Sequence, residues 1–151
     1  MSSDVTSITG EDQFSLEFTS EPDFISTARL FAGAAARYYG CDEEAVQDVK
    51  IAVSEACTNA VKAHGLAVVS MPVRVVVRSV GDRVEFNVID AGGGFERAVN
   101  GERREPDGDA LLENGIGLQI IQALFPDTDV GPNTEGGTTV RFSTPRSGER
   151  L

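Results

Sequence analysis

Two apolar runs on either side of Gly81–Asp82 constrain the fold more than any other feature of the sequence. Valine recurs at every second position over residues 73–77, and apolar residues recur with the same period over residues 84–88. A two-residue period is that of a strand with one buried face, and a Gly-Asp pair suits a tight turn. The pattern therefore predicts an antiparallel hairpin whose one face packs against a core.

The rest of the chain adds helices and further strands around this hairpin. Before the hairpin, the patterns predict a strand at 14–18, a helix from Pro22 to Gly40, and a helix at 43–64 that Asp42 caps and Gly65 ends. After the hairpin, they predict a short helix at 116–124, a short strand near 127–130 and a terminal strand at 138–142. Strands joined by tight turns favour an antiparallel arrangement. We expect an α+β fold, a two-layer sandwich with a mostly antiparallel sheet covered on one face by helices.

Length and charge limit the domain count and the kinds of ligand. The 151 residues suit one domain, which we place at 12–145, between a polar tail at 1–11 and a frayed C-terminus at 146–151. There are 13 Lys and Arg against 24 Asp and Glu, and the net charge is −11. This balance argues against nucleic acid or an anionic membrane as a direct partner, because phosphate binding at a surface relies on Lys and Arg.

Cysteine and histidine usage points to a reducing compartment. Cys41 and Cys57 are isolated and lack metal-ligand spacing, and His64 is the single histidine, which argues against a histidine-based metal site. The N-terminus shows no leader pattern, and no apolar run approaches the roughly 20 residues of a spanning helix. We therefore expect a cytoplasmic protein.

The helix at 43–64 carries an apolar stripe and, opposite it, a polar stripe of Glu55, Asn59 and Lys62. At about 100° per residue, Glu55 and Asn59 point toward the same place. One interpretation is a solvated helix face with neighbouring charges. The other is a functional pair, in which the carboxylate acts as a general base and the amide oxygen binds Mg²⁺.

Asp90 lies in phase with the buried side chains of the strand that precedes it. A buried carboxylate requires a hydrogen-bond donor, which can belong to the protein, to water or to a ligand such as the amino group of a purine. A strand-end turn cap over Asp90–Gly92 is the alternative interpretation. Gly92 and Gly94 lack Cβ atoms, so the backbone here can turn sharply and admit a flat ring.

Two glycine-containing segments follow. Asn114–Leu118 is predicted to open a helix, where unpaired N–H groups bind anions. Gly136–Thr138 leads into the last strand, with the Thr138 hydroxyl on the inward face and in need of a partner. Each signal is weak alone, and a simple turn or bulge accounts equally well for the second.

Taken in order, these motifs resemble the N, G1, G2 and G3 boxes of the GHKL ATPase superfamily. The boxes are Glu55-x-x-x-Asn59, Asp90-x-Gly92-x-Gly94, Gly115-x-Gly117-Leu118 and Gly137-Thr138. The resemblance covers about residues 12–144, and residues 53–60 are similar to the anti-sigma factor serine-protein kinases. It implies a Bergerat-type ATP-binding fold.

The resemblance also implies roles for these residues. Glu55 would be the general base that deprotonates an acceptor serine, and Asn59 would hold Mg²⁺ against the nucleotide phosphates. Asp90 would accept a hydrogen bond from the adenine amino group. Residues 95–114 would form a mobile ATP lid. The other nucleotide-binding positions would be Lys62, Gly92, Gly94, Gly115, Ile116, Gly117, Leu118 and Thr138, with Arg97, Arg103 and Arg104 of the lid as further phosphate candidates.

At the level of function, the resemblance implies an ATP- and Mg²⁺-dependent serine-protein kinase that is also an anti-sigma factor. Such a protein sequesters a sigma factor and phosphorylates one serine of an anti-sigma factor antagonist, and a homodimer is expected by analogy. We infer that the net acidity would attract a basic partner such as a sigma factor.

Two departures from the pattern keep a second interpretation open. Many relatives have a histidine four residues after the asparagine, whereas His64 lies five after Asn59 and is expected at the edge of the core instead. Glu113 and Asn114 stand where some relatives carry an arginine. An acid beside the γ-phosphate would be repulsive, so either Glu113 points away or kinase activity is reduced. The alternative is a regulatory binding module, with or without nucleotide, that lacks kinase activity.

Overall fold

The computed structural model describes residues 12–92 and 108–147, with side chains from Ile116 onward in the second range. The elements are β1 (Gln13–Phe18), a short 3-10 turn (Pro22–Phe24), α1 (Ile25–Tyr38), α2 (Glu43–Ala67), β2 (Val73–Val80), β3 (Arg83–Ile89), α3 (Gly108–Leu124), β4 (Asp129–Pro132) and β5 (Thr138–Pro145). Within these ranges the strands form one five-stranded sheet in the order β1-β2-β3-β5-β4, and every neighbouring pair is antiparallel. The predicted α+β class is confirmed.

The hairpin of β2 and β3 forms as the sequence predicts. Val75 lies opposite Val88 and Val77 opposite Phe86, and all four side chains are buried. Gly81 adopts a positive φ of 61° in the turn, a conformation that L side chains rarely adopt. The inward-facing side chains of this hairpin are part of the hydrophobic core.

Helices α1 and α2 cover the apolar face of the sheet. Their buried residues are mostly small, and they include Ala28, Ala32, Ala35, Ala36, Val46, Val49, Val53 and Ala56. Under α3, the ring of Phe142 stacks on those of Phe86 and Phe125 at centroid distances of 5.3 and 4.5 Å. Both cysteines are free and buried, and burial raises the pKa of the Cys57 thiol to about 12.

Helix α2 begins as predicted and ends later than predicted. The Asp42 side chain caps its first turn by accepting from the Ala45 N–H at 2.8 Å. The helix runs past Gly65 to Ala67 and ends at Val68, whose φ is 57°. The N–H groups of Val68 and Val69 return to the carbonyls of Gly65 and His64. The prediction that Gly65 ends the helix is wrong, because an interior glycine costs only about 1 kcal/mol and the returning N–H groups satisfy the last carbonyls two residues later.

Helix α3 begins at Gly108, whereas the sequence predicted a start at Asn114–Gly115. The residues at 110–113 are Ala, Leu, Leu and Glu, all strong helix formers, so the helix can extend through both later glycines at about 1 kcal/mol each. The predicted start is therefore wrong. The helix also includes the last part of the predicted lid at 95–114, and residues 93–107 lie outside the described residues.

Beyond the last strand, the chain stays attached to the domain for at least two residues. The N–H of Arg146 donates to the carbonyl of Asp82 at 2.9 Å, and that of Ser147 donates to the carbonyl of Gly40 at 3.2 Å. Residues 146 and 147 of the predicted frayed terminus at 146–151 are therefore bonded to the domain. Residues 1–11 and 148–151 lie outside the described ranges, and no helix within those ranges is long and apolar enough to cross a membrane.

Candidate functional site

The polar stripe of α2 faces α3 rather than bulk solvent alone. Glu55 and Asn59 are half-buried, and Lys62, one turn further along, is exposed. The buried valines and alanines on the opposite side of α2 fix this orientation, because they pack in the core. The structure thus places Glu55 and Asn59 next to each other on the side of α2 that meets another element.

Gly117 of α3 lies close to this pair. A Cβ atom built on Gly117 would lie 3.2 Å from Glu55 Oε1 and 3.3 Å from Asn59 Nδ2. Gly117 is buried, so its missing side chain leaves room for these two polar groups. The structure therefore brings Glu55 and Asn59 of the N box next to Gly117 of the G2 box.

Asp90 is 7% exposed and extends just past the end of β3. Its Oδ1 atom accepts from the N–H of Gly92 at 2.9 Å and from that of Thr138 at 3.1 Å. Burial raises the pKa of the Asp90 carboxyl above its ordinary value, and the two N–H donors oppose this rise. The bond from Gly92 to Oδ1 is the turn cap that the alternative interpretation predicted. The bond from Thr138 to the same atom joins the start of β5 to the end of β3.

The backbone of β5 approaches Asp90 very closely, which explains the glycine that precedes Thr138. A Cβ atom on Gly137 would lie 2.1 Å from the carbonyl oxygen of Asp90. Gly92 is equally constrained, since a Cβ there would lie 2.7 Å from the backbone of Ala63 in α2. Both glycines allow backbone segments to pack together, and this packing brings α2, the end of β3 and the start of β5 to one place.

Asn133 organises this junction, and the sequence analysis missed it. Its Nδ2 donates to the Asp90 carbonyl at 2.9 Å and to Thr139 Oγ1 at 3.2 Å, while its Oδ1 accepts from the N–H groups of Glu135 and Gly137. The pattern Asn-x-x-Gly-Gly before a strand was the available signal, because asparagine side chains frequently bond to backbone groups within turns.

His64 lies at the edge of the core, as the sequence predicted. Its side chain is 2% exposed, and its Nε2 accepts from the N–H of Ala91 at 2.8 Å. His64 Nδ1 is buried and has no hydrogen-bond partner within the described ranges.

A cleft of about 390 Å³ opens beside Glu55, between α1 and α2. It is lined by Arg29, Gln47, Lys50, Ile51, Ser54 and Glu55. A larger cleft of about 470 Å³ lies elsewhere, between the start of α2 and the segment after α3, and none of the predicted site residues lines it. Among the predicted site residues, Glu55 lines the smaller cleft.

The segment Gly115–Leu118 lies inside α3 and not at its N-terminus. In an α-helix only the first four N–H groups lack an intrahelical partner, so the predicted exposure of N–H groups at 115–118 is wrong for this conformation. Ile116 is about half exposed and Leu118 packs against the core. A contact of these residues with phosphate stays a prediction. Gly94, Arg97, Arg103 and Arg104 lie outside the described residues.

The Asn59 side chain fits the Mg²⁺ role predicted for it, because an amide oxygen is a hard donor of the kind that Mg²⁺ prefers. No side chain at position 117 covers this amide from α3. Within the described ranges, no cluster of three or more His, Cys, Asp or Glu residues could hold a metal by itself.

The sheet, the helices and the junction of α2 with the ends of β3 and β5 define a class of protein. Residues 18–144 match the family described as the histidine kinase-like ATPase domain. This match spans most of the 151 residues, and the chain therefore belongs to that family.

More specific similarities lie within this class. The serine-protein kinase RsbW of Bacillus pumilus (strain SAFR-032) is 33% identical over 147 residues, covering 93% of this chain and 90% of that protein. The protein of the same name from Bacillus subtilis (strain 168) is 29% identical over 93% of this chain and 89% of its own length. The one from Listeria innocua serovar 6a is 31% identical over 79% of each.

Proposed function

We propose that this protein is an ATP-dependent serine-protein kinase that also acts as an anti-sigma factor. The observation that carries the proposal is the meeting of Glu55 and Asn59 with Gly117 beside an accessible cleft. Relatives that align with nearly the whole chain are named serine-protein kinases. The family is one of ATPase domains, which supports ATP as the phosphoryl donor.

In this proposal Glu55 is the catalytic base. Its carboxylate borders the cleft through which an acceptor serine would enter, and it is half-buried. Glu55 would take the proton of the serine hydroxyl as the oxygen attacks the γ-phosphorus of ATP and the bond to ADP breaks. Positioning and charge neutralisation supply most of the catalysis in such transfers.

The other site residues bind and orient the nucleotide. Asn59 would hold Mg²⁺, which neutralises phosphate charge when bound, and Lys62 would approach a phosphate from the next turn of α2. Asp90 would accept from the adenine amino group, with Gly92, Gly94 and Thr138 around the base. Gly115, Ile116, Gly117 and Leu118 would lie nearest the phosphates after α3 shortens from its N-terminal end.

The protein partners follow from the same proposal. The chain would sequester a sigma factor, and an antagonist of the anti-sigma factor, inactivated by phosphorylation on serine, would control its release. We place the protein in the cytoplasm and expect a homodimer. The relatives named serine-protein kinase RsbW support the serine phosphorylation in this proposal.

Glu55→Gln tests the role of Glu55, because glutamine keeps the shape of the side chain and loses its basicity. We expect the rate of phosphoryl transfer from labelled ATP to a cognate antagonist to fall by a factor of about 10²–10⁴. The Kd for ATP, measured by calorimetry, should change by less than about threefold. Gln47→Glu, on the same helix and in the same cleft, controls for a change of charge nearby. Transfer at the wild-type rate in Glu55→Gln would rule out Glu55 as the base.

A second candidate function is a regulatory binding module without kinase activity. It is favoured by the start of α3 at Gly108, which places the predicted phosphate-binding segment inside a helix, and by the acid at position 113. Calorimetry with ATP in the presence and absence of Mg²⁺ separates the two functions. Absence of binding at millimolar ATP would reject the kinase and leave partner binding alone.

A further inference from the structure

The peptide unit between Asp90 and Ala91 is held at both of its polar groups. Its N–H donates to His64 Nε2 at 2.8 Å, and its carbonyl accepts from Asn133 Nδ2 at 2.9 Å. A peptide unit is planar, so two bonds from opposite sides fix the orientation of the whole plane. The two side chains come from different parts of the fold, α2 and the turn between β4 and β5.

His64 can make this bond only as a neutral ring with its proton on Nδ1. A ring nitrogen that accepts a hydrogen bond from an N–H group carries no hydrogen itself. Nδ1 is buried without a partner in the described ranges, and a buried unpaired donor costs free energy. The hydrogen bond that the His64 side chain makes within these ranges is the one to Ala91, which lies in the turn after Asp90.

The same end of α2 also limits how this turn can move. Gly92 packs so closely on the backbone of Ala63 that a Cβ atom would not fit. The N–H of Gly92 in turn donates to Asp90 Oδ1. The orientation of the Asp90 carboxylate thus depends on a turn that α2 holds by one hydrogen bond and one close backbone contact.

We propose that His64 is a positioning residue for base recognition, which fixes the Asp90–Ala91 peptide plane through Nε2 and thereby directs the Asp90 carboxylate toward the adenine amino group. This inference rests on the proposed nucleotide-binding function. It assigns to His64 a part in selecting adenine over guanine, because guanine presents a carbonyl where adenine presents an amino group, and a carboxylate repels a carbonyl oxygen.

The test compares two variants of His64 by their Kd values for ATP and GTP. In His64→Leu the acceptor is lost, and we expect the Kd for ATP to rise about tenfold while that for GTP stays within twofold. In His64→Gln a side-chain oxygen can replace Nε2, and we expect the ratio of the two Kd values to return to within about threefold of wild type. Val77→Ala, a core truncation in β2, controls for a general loss of stability and should leave the ratio unchanged.

A second measurement does not depend on nucleotide. Hydrogen exchange of the Ala91 amide, followed by NMR on the free protein, should be at least tenfold faster in His64→Leu than in wild type. It should be restored in His64→Gln, and the amides of β2 should be unaffected. A wild-type ATP-to-GTP ratio and unchanged Ala91 exchange in His64→Leu would overturn the inference. Failure of the wild-type protein to bind ATP would instead reject the proposed function and leave the exchange measurement to decide the role of His64.

Discussion

At the scale of single residues, Asp90 shows how one carboxylate can serve both fold and ligand. Its Oδ1 joins the turn after β3 to the first residue of β5. Burial nevertheless raises its pKa, which means that the folded state holds the charged form at a cost. A ligand donor such as an adenine amino group would offset part of this cost, because a hydrogen bond to the charged form favours it.

Asp90→Asn tests the contribution of the Asp90 carboxyl to the stability of the fold and its role in ATP binding. Because the pKa of Asp90 is raised in the folded state, its protonated carboxyl contributes stability. This contribution is complete below the pKa of about 4 that an aspartate has in the unfolded chain, and it is lost as the pH rises through the pKa of the folded state. Asparagine does not titrate, so we expect the stability of Asp90→Asn relative to wild type to increase from pH 4 to pH 7 in urea unfolding. At pH 7 its Kd for ATP should rise at least tenfold. A stability difference that does not change with pH would contradict the assigned pKa direction.

At the scale of elements, the contact between α2 and α3 depends on the absence of one side chain. Gly117 lies in the interior of α3, where glycine is less favourable than alanine by about 1 kcal/mol. The space it leaves is next to Glu55 and Asn59. Helix α3 therefore contains a less favourable residue at the position where its backbone lies next to these two polar side chains.

Gly117→Ala should separate stability from function, and Gly65→Ala is its matched control. Both substitutions lie in helices and should stabilise the fold by up to about 1 kcal/mol, and a Cβ on Gly65 meets nothing within 4 Å. The Cβ of Gly117→Ala would crowd the two polar side chains. We expect thermal unfolding to show equal or higher stability for both variants, and calorimetry to show an affinity for Mg-ATP at least tenfold weaker for Gly117→Ala alone. Equal affinities in the two variants would argue against Gly117 as part of the site.

At the scale of the whole molecule, several arginines form ion pairs with acidic side chains. On the face of the sheet that the helices leave open, arginines pair with acids, and the pairs are Arg74 with Glu17 and Glu135, Arg78 with Glu85, Arg83 with Asp127, and Arg141 with Asp129. Such exposed pairs contribute little stability, but they neutralise much of the positive charge there. Acids also gather at the start of α2, where Asp42 is the N-cap and Glu43, which pairs with Arg37, is followed by Glu44. The acids of the chain outnumber its Lys and Arg, which gives the net charge of −11.

This net charge predicts salt-dependent association with a basic partner. If a sigma factor is that partner, electrostatic attraction should raise the association rate, and salt should screen it. We expect the association rate constant to fall about tenfold or more between 50 and 500 mM NaCl in stopped-flow or surface-binding measurements, with a smaller change in the dissociation rate. A rate that does not depend on salt would remove the proposed electrostatic role of the acidity.

The sequence by itself determined the element types, the antiparallel hairpin, the inward phase of Asp90 and the order of the four motifs. These depend on local periodicity and turn chemistry, which a short window of residues contains. The sequence did not determine where α3 begins, because that depends on how far helix propagation offsets the cost of its glycines. It also did not determine where α2 ends, because that depends on which backbone N–H groups return to the last carbonyls of the helix.

Only the tertiary structure decided which residues meet. Gly137 and Gly92 allow backbones to touch across 47 and 29 positions of sequence, to Asp90 and Ala63 respectively, and Asn133 and His64 hold one peptide unit from two elements. No local pattern encodes these contacts, since each joins segments that are brought together by the burial of the core. The sequence therefore indicated the chemistry of the site, and the packing of α2 against the ends of β3 and β5 decided which side chains position it.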